Sequence, residues 1–181
     1  LKKAGVAAGA GVLAACGKTE SGVAAGAAAS GTKIEWTLAS SFPKNLDTIY
    51  GAAEVFAKRV KELSGGNFII NVKAAGEIVP GPEVMNAVKN KTVQIGHTAS
   101  YYFFGTDATF AFDTAVPFGL TSRQHTAWMM HGGGMELMRE FFKQHNIVNF
   151  LGGNTGTQMG GWLKKEIKSV DDLKGLKLRI G

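Results

Sequence analysis

Arg179 is the residue whose setting most constrains the chemistry available to this chain. It stands between Leu178 and Ile180. A guanidinium between apolar neighbours needs an anionic partner, because a charge drawn out of water must be paired. A small carboxylate fits, since the planar arginine fork binds it through two parallel hydrogen bonds. Upstream in the same stretch, residues 154–181, a small-residue loop carries the amide of Gln158 and then Trp162. Beyond that loop the stretch reads as strand-like, with Arg179 in it.

A second group of candidates is Thr98-Ala99-Ser100-Tyr101-Tyr102-Phe103-Phe104, which follows an expected strand. Aromatic rings can shape a cavity there, and a tyrosine hydroxyl can hold a solute oxygen, so Tyr101 is a candidate pocket wall. The same rings read equally as core beneath a loop. Trp162 carries the same two readings, pocket wall or core packing. The histidines, His97, His125, His131 and His145, lack metal-ligand spacing and read as satisfied surface or core side chains. No Gly-x-Ser-x-Gly elbow is present, and Gly153-Asn154-Thr155-Gly156 is neither a phosphate loop nor a dinucleotide fingerprint.

Composition is that of a soluble globular protein, and its charge reads as an ordinary solvated surface. The chain has 181 residues and a net charge of +6, with its lysines and arginines scattered. Nucleic-acid binders cluster such charge, so no nucleic acid is expected as a partner. The beginning is different in kind. Residues 1–16 pair two lysines with a short apolar run that ends at Leu13-Ala14-Ala15-Cys16. That is the pattern of an export signal, too short to span a bilayer as a helix, with Cys16 placed as in a bacterial lipobox. Cys16 is therefore the expected lipid-bearing thiol, with a buried cysteine of an alanine-rich helix as the other reading. Residues 17–32 lack periodicity and read as a flexible tether. The chain has no initiating Met and stops two residues after Arg179, so it reads as a piece of a longer protein.

The elements that must position these residues follow from periodicity. Residues 34–39 predict a strand, and 46–63 a helix capped by Asn45, with Ile49, Ala53, Phe56, Val60 and Leu63 as its apolar stripe. Residues 67–73 and 93–97 predict two further strands, with a short helix through Lys89 that begins at Pro82. A β-α-β-α-β order implies a parallel sheet covered by helices, an α/β fold whose ligands bind beyond the carboxyl ends of the strands. Two helices, 122–131 and 135–145, are separated by Gly132-Gly133-Gly134, and 147–151 reads as another strand.

Several spaced segments, in order, carry a resemblance over residues 33–181. They are IEWTLASSFPKNLD, LSGGNFIINVKAAGEIVPGPEVMNAV, GHTASYYFFG, AVPFGLT, GNTGTQMGGW and SVDDLKGLKLRIG. Together they resemble the solute receptors of tripartite ATP-independent periplasmic (TRAP) transporters, nearest the branch that binds 2-oxo acids. The resemblance implies a two-lobed α/β fold of the periplasmic-binding-protein type, partly present here. Residues 33–118 would open the first lobe and 119–181 the second. It implies that Arg179 binds the solute carboxylate. Gln158 would help hold the solute with a bound cation, sodium or calcium, and Tyr101 and Trp162 would line the site. It further implies a periplasmic receptor, tethered through Cys16, that hands a small organic acid to membrane subunits and is not an enzyme. An exported α/β enzyme acting on a small carboxylate is the alternative.

Overall fold

Leu38, Ala39 and Ser40 end the first strand, and all three are buried. That burial marks a strand covered on both faces, as parallel sheets require. In a computed structural model, which describes residues 32–158 and 160–178, the strand is β1, Ile34–Ser40. It lies between β2, Phe68–Lys73, and β3, Ile95–His97, in the order β2-β1-β3, and both pairings are parallel. Among the described residues this is the sheet that the sequence predicts. The register sets Ile34 opposite Phe68 and Leu38 opposite Ile95.

Successive side chains of β1 point to opposite faces, and each face has its own helix. Leu38 and Ile70 pack with Ala53 and Ala57 of α1, Asp47–Leu63. Ala39 packs with Val84 and Ala87 of α2, Val84–Lys89, and with Val93. Pro82 precedes α2 in a single 3-10 turn, Gly81–Glu83. The register of α1 departs from expectation. Its buried residues are Tyr50, Ala53 and Ala57, whereas Phe56 is 49% and Leu63 77% exposed. The expected stripe holds at Ala53, which is buried, and at Val60, which packs on the same core. The buried face is turned by about one residue, through Tyr50 and Ala57 in place of Ile49 and Phe56, and its alanines let helix and strands approach closely. Asn45 is not the cap either; Leu46 holds that position and makes no side-chain cap, while Asp47 Oδ1 accepts the Thr48 N–H at 2.8 Å.

The aromatic run after β3 is divided between two environments. Phe103 and Phe110 enter a core with Met85, Met129, Met138 and Phe142. The last three belong to α3, Ser122–His131, and α4, Gly134–Lys143. Thr121 and Gln124 cap α3 reciprocally, a capping box that fixes where the helix begins. Between the helices Gly133 adopts φ +84°, and a Cβ on Gly134 would lie 2.7 Å from the Trp128 ring. The glycine run thus serves a tight helix-to-helix turn. Residues on both sides of position 118 share this core.

Residues 147–151 are not a strand. The Ile147 N–H closes back on the Phe142 carbonyl at 3.2 Å, and no ladder forms with this segment among the described residues. Apolar alternation makes a strand possible, but only a neighbouring backbone makes one. The strand-like reading of the stretch up to Arg179 fares the same over its described part. Residues 154–158 and 160–178 hold one 3-10 turn, Val170–Leu173, in otherwise irregular chain.

Candidate functional site

The carboxyl ends of β1 and β3 meet at a small polar cluster. The Ser41 N–H donates to the His97 carbonyl at 2.8 Å, which carries the pairing one residue past β1. Ser40 Oγ lies 3.1 Å from His97 Nδ1 and accepts the Phe42 N–H at 3.1 Å. Burial pushes the His97 imidazole below its usual range, which favours the neutral ring. Either tautomer of that ring makes the Ser40 contact, because a hydroxyl can donate its proton or accept a second time. Ser41 Oγ lies 2.7 Å from both the Gly81 carbonyl oxygen and Thr98 Oγ1. One hydroxyl proton serves one of these contacts, so the Thr98 hydroxyl supplies the other. Gly81 is required there because a Cβ would stand 2.8 Å from the Ser41 carbonyl oxygen.

The His97 environment predicts a pH dependence with a definite sign. Its folded-state pKa is lowered, so below about pH 6.5 the unfolded chain takes a proton that the folded chain refuses. Its contribution is complete above about pH 6.5 and shrinks as pH falls toward the lowered value. The slope from this group is at most about 1.4 kcal/mol per pH unit, the value for one proton. His97→Asn keeps an acceptor and does not titrate. Urea midpoints of the variant between pH 5 and 7 are expected to fall less steeply with acid than those of the parent; equal slopes would remove His97 as the cause.

Behind the aromatic run lies a second polar cluster. Ser100 Oγ donates to the Asp113 carboxylate and lies 3.0 Å from Thr114 Oγ1. Burial pushes the Asp113 carboxyl up, while the Ser100 hydrogen bond and nearby His125 pull it down. Both ring nitrogens of His125 are shielded from solvent and make no hydrogen bond among the described residues. The expectation of four satisfied histidines therefore fails at His125, whose ring is instead set beside Trp128 at 5.8 Å.

In front of that cluster is an open hollow of about 490 Å³. Tyr101, Phe104, Ala111, Phe112, Ala115 and Pro117 are among its walls, and Tyr101 carries its one hydroxyl. The aromatic run thus splits between its two readings: Phe103 is core, while Tyr101 and Phe104 line a cavity. A row of ring contacts links the hollow to the strand ends. Tyr101 meets Tyr102 at 4.8 Å, Tyr102 meets Phe42 at 6.3 Å, and Phe42 meets His97 at 5.1 Å. Another hollow, of about 460 Å³, runs along α3 beside Arg123, Met130 and His131 and includes none of the expected site residues.

The other candidates are placed less completely. Gln158 is exposed, and its Nε2 donates to Thr155 Oγ1 at 3.5 Å, within its own loop. Trp162 is 86% exposed, so core packing does not describe it here. Arg179 and Cys16 lie outside the described residues, as do residues 1–31, where the sequence places the expected export signal and most of the expected tether. Among the described residues no three His, Cys, Asp or Glu side chains gather as a metal site. Gln158 remains the one candidate cation ligand named from the sequence, and its amide oxygen is a hard donor suited to sodium or calcium. The residues that sequence reasoning missed are Ser40, Ser41, His97, Asp113 and His125.

Comparison with known proteins agrees with the parallel α/β fold. The chain is 52% identical over 147 residues to a monocarboxylate 2-oxoacid-binding periplasmic protein of Nostoc sp., which covers 81% of this chain and 40% of that protein. It is similar to a TRAP transporter solute-binding protein from Bordetella bronchiseptica RB50, whose crystal structure has calcium and picolinate in the active site. That likeness has a TM-score of 0.77 and 47% identity, over 79% of this chain and 43% of the other. A TRAP periplasmic solute-binding protein from Colwellia psychrerythraea, with bound calcium and pyruvate, matches with a TM-score of 0.78 and 43% identity, over 80% of this chain and 44% of the other. The chain thus spans less than half the length of these relatives. Residues 39–181 match the family model described as DctP, bacterial extracellular solute-binding protein, family 7, and the chain belongs to that family.

Proposed function

We propose that this chain is part of an extracytoplasmic receptor of a TRAP transporter. The receptor captures a small organic acid, a 2-oxo acid or related monocarboxylate, and delivers it to the transporter's membrane subunits. The observation that carries this reading is the 52% identity, sustained over 147 residues, to the Nostoc monocarboxylate 2-oxoacid-binding protein. Arg179 pairs with the solute carboxylate, Gln158 contributes to a cation held with the solute, and Tyr101 and Trp162 line the cleft. The cation is sodium or calcium; similar proteins hold pyruvate with calcium in one case and with sodium in another. The receptor works in the periplasm, tethered through a lipidated Cys16. Residues from 33 onward open the first lobe. The expected division at 118 enters with one adjustment: the core shared by Phe103, Phe110, Met129 and Met138 favours a changeover to the second lobe after α4.

The enzymatic alternative finds less support. The two serine hydroxyls set against a base, Ser40 beside His97 and Ser100 on Asp113, are 1% and 6% exposed, so neither stands open to a substrate. The test uses the full-length protein and follows its melting temperature with pyruvate, longer 2-oxo acids, 2-hydroxy acids and neutral sugars. At a hundredfold excess over Kd a bound acid adds about 2.7 kcal/mol, a rise of a few degrees. The rise is expected with 2-oxo monocarboxylates and should shrink when sodium and calcium are removed or Gln158 is changed to Ala. A flat response to every organic acid would overturn the reading.

A further inference from the structure

The 3-10 turn that carries Tyr101, Ser100–Phe103, is pinned along one face. A 3-10 helix repeats every three residues, so side chains three apart point the same way. Ser100 and Phe103 are such a pair, and each is 6% exposed. Phe103 enters the apolar core with Phe110 and Met129. Ser100 enters a polar tie: its Oγ donates to the Asp113 carboxylate and lies 3.0 Å from Thr114 Oγ1. Thr114 Oγ1 in turn reaches the carbonyl oxygen of the fully buried Phe110 at 3.4 Å, so the anchor is itself held by the core. The chain also enters the turn from a fixed point, because Thr98 Oγ1 meets Ser41 Oγ at 2.7 Å. Entry and rotation of the turn are thereby set, and with them the direction in which Tyr101 leaves it. Both pinned residues are buried, so this geometry does not rest on an exposed surface.

A carboxylate is an expensive group in this place. Burial pushes the Asp113 carboxyl up, the sign of a penalty on its charged form. A well-packed apolar pair would hold the turn to the core without that penalty. What the polar pair adds is direction, since a hydrogen bond is angular and hydrophobic contact is not. We infer that Ser100 and Asp113 are positioning residues for solute binding: they lock the turn so that the Tyr101 hydroxyl is already aimed at a solute oxygen. This rests on the proposed receptor reading, in which Tyr101 lines the cleft. Neither residue touches the solute. Their effect passes through Tyr101, because a group ordered before binding loses less freedom on binding. The hydrogen bond made by the Tyr101 hydroxyl is therefore the ceiling on that effect.

Calorimetric titration of the full-length protein with pyruvate tests this on the parent and Tyr101→Phe backgrounds. Tyr101→Phe is expected to weaken pyruvate binding by about 3- to 10-fold, the contribution of one hydrogen bond. Ser100→Ala breaks the tie but leaves Asp113 buried without its donor, so it also lowers the melting temperature. Ser100→Ala combined with Asp113→Leu removes both partners and should leave the melting temperature close to the parent's. Each of these two variants is expected to lose most of the Tyr101 factor on the parent background. On the Tyr101→Phe background each should change affinity by less than about twofold. An equal loss on both backgrounds would mark a merely structural tie and overturn the inference. Parent-like affinity in the combined variant, or in Tyr101→Phe, would overturn it too. In all these cases pyruvate still binds, and the receptor reading stands. Failure of pyruvate and of every other 2-oxo acid to bind the parent would overturn both.

Discussion

Replacing Phe110 with alanine is expected to destabilise the full-length protein by about 3–5 kcal/mol. Phe110 is 0% exposed, and four rings surround it. Phe141 lies 4.8 Å away, His145 5.0 Å, Phe142 5.4 Å and Phe103 5.9 Å between ring centroids. Deleting the ring loses its transfer from water and leaves a cavity that these neighbours fill only in part, because they are fixed by α4 on one side and a 3-10 turn on the other. The expected loss is a large share of a domain's typical stability, about 5–15 kcal/mol. Phe110→Leu keeps much of the volume and should cost about half as much. Phe112→Ala, two residues on but half exposed, should cost clearly less than Phe110→Ala. Urea unfolding of the three variants settles the order. A cost below about 1 kcal/mol for Phe110→Ala would mean that α3 and α4 do not share a core with the segment after β3.

That core shows where sequence patterns are sufficient and where they stop. Helix α3 is read to the residue, because Thr121 and Gln124 form a local cap and Gly132-Gly133 a local stop. The parallel sheet is equally legible, since alternation through Phe68, Ile70 and Val72 and the helical spacings between strands are short-range signals. What fails is any choice that a distant neighbour decides. Helix α1 has an apolar band wider than its contact, and packing on Leu38 and Ile70 turns the buried face from Phe56 toward Ala57 while keeping Ala53 and Val60. Residues 147–151 have strand composition and no ladder partner among the described residues. The clusters around His97 and Asp113 could not be foreseen for the same reason. Ser40 meets His97, and Ser41 meets Thr98, each across 57 residues of sequence, and neither pair belongs to a motif with fixed spacing. Tyr101 was legible as a wall from its place after a strand, but the inward and outward sorting of its aromatic neighbours needed the core to be seen.

The largest expected effect on binding belongs to Arg179. Arg179→Met in the full-length protein is expected to weaken binding of the organic acid by about 30-fold to several thousandfold. Removing one partner of a desolvated, hydrogen-bonded charge pair costs about 2–5 kcal/mol, much of it from leaving the other charge buried and unpaired. Arg179→Lys separates charge from geometry. A lysine keeps the positive charge but is a compact ammonium without the planar fork, so it should restore part of the affinity and not all of it. If charge alone mattered, the lysine variant would bind like the parent, and its affinity would fall with salt in the same way. If Arg179 were merely a structural residue between Leu178 and Ile180, both variants would lower the melting temperature without solute and leave the ratio of bound to free affinities among different acids unchanged. The informative result is therefore a pair of measurements on each variant. An unchanged melting temperature without solute, joined to graded affinity in the order arginine, lysine, methionine, assigns the carboxylate to Arg179. Parent-like affinity in Arg179→Met removes it from the site and shifts the search for the anion's partner to the remaining cations of the cleft.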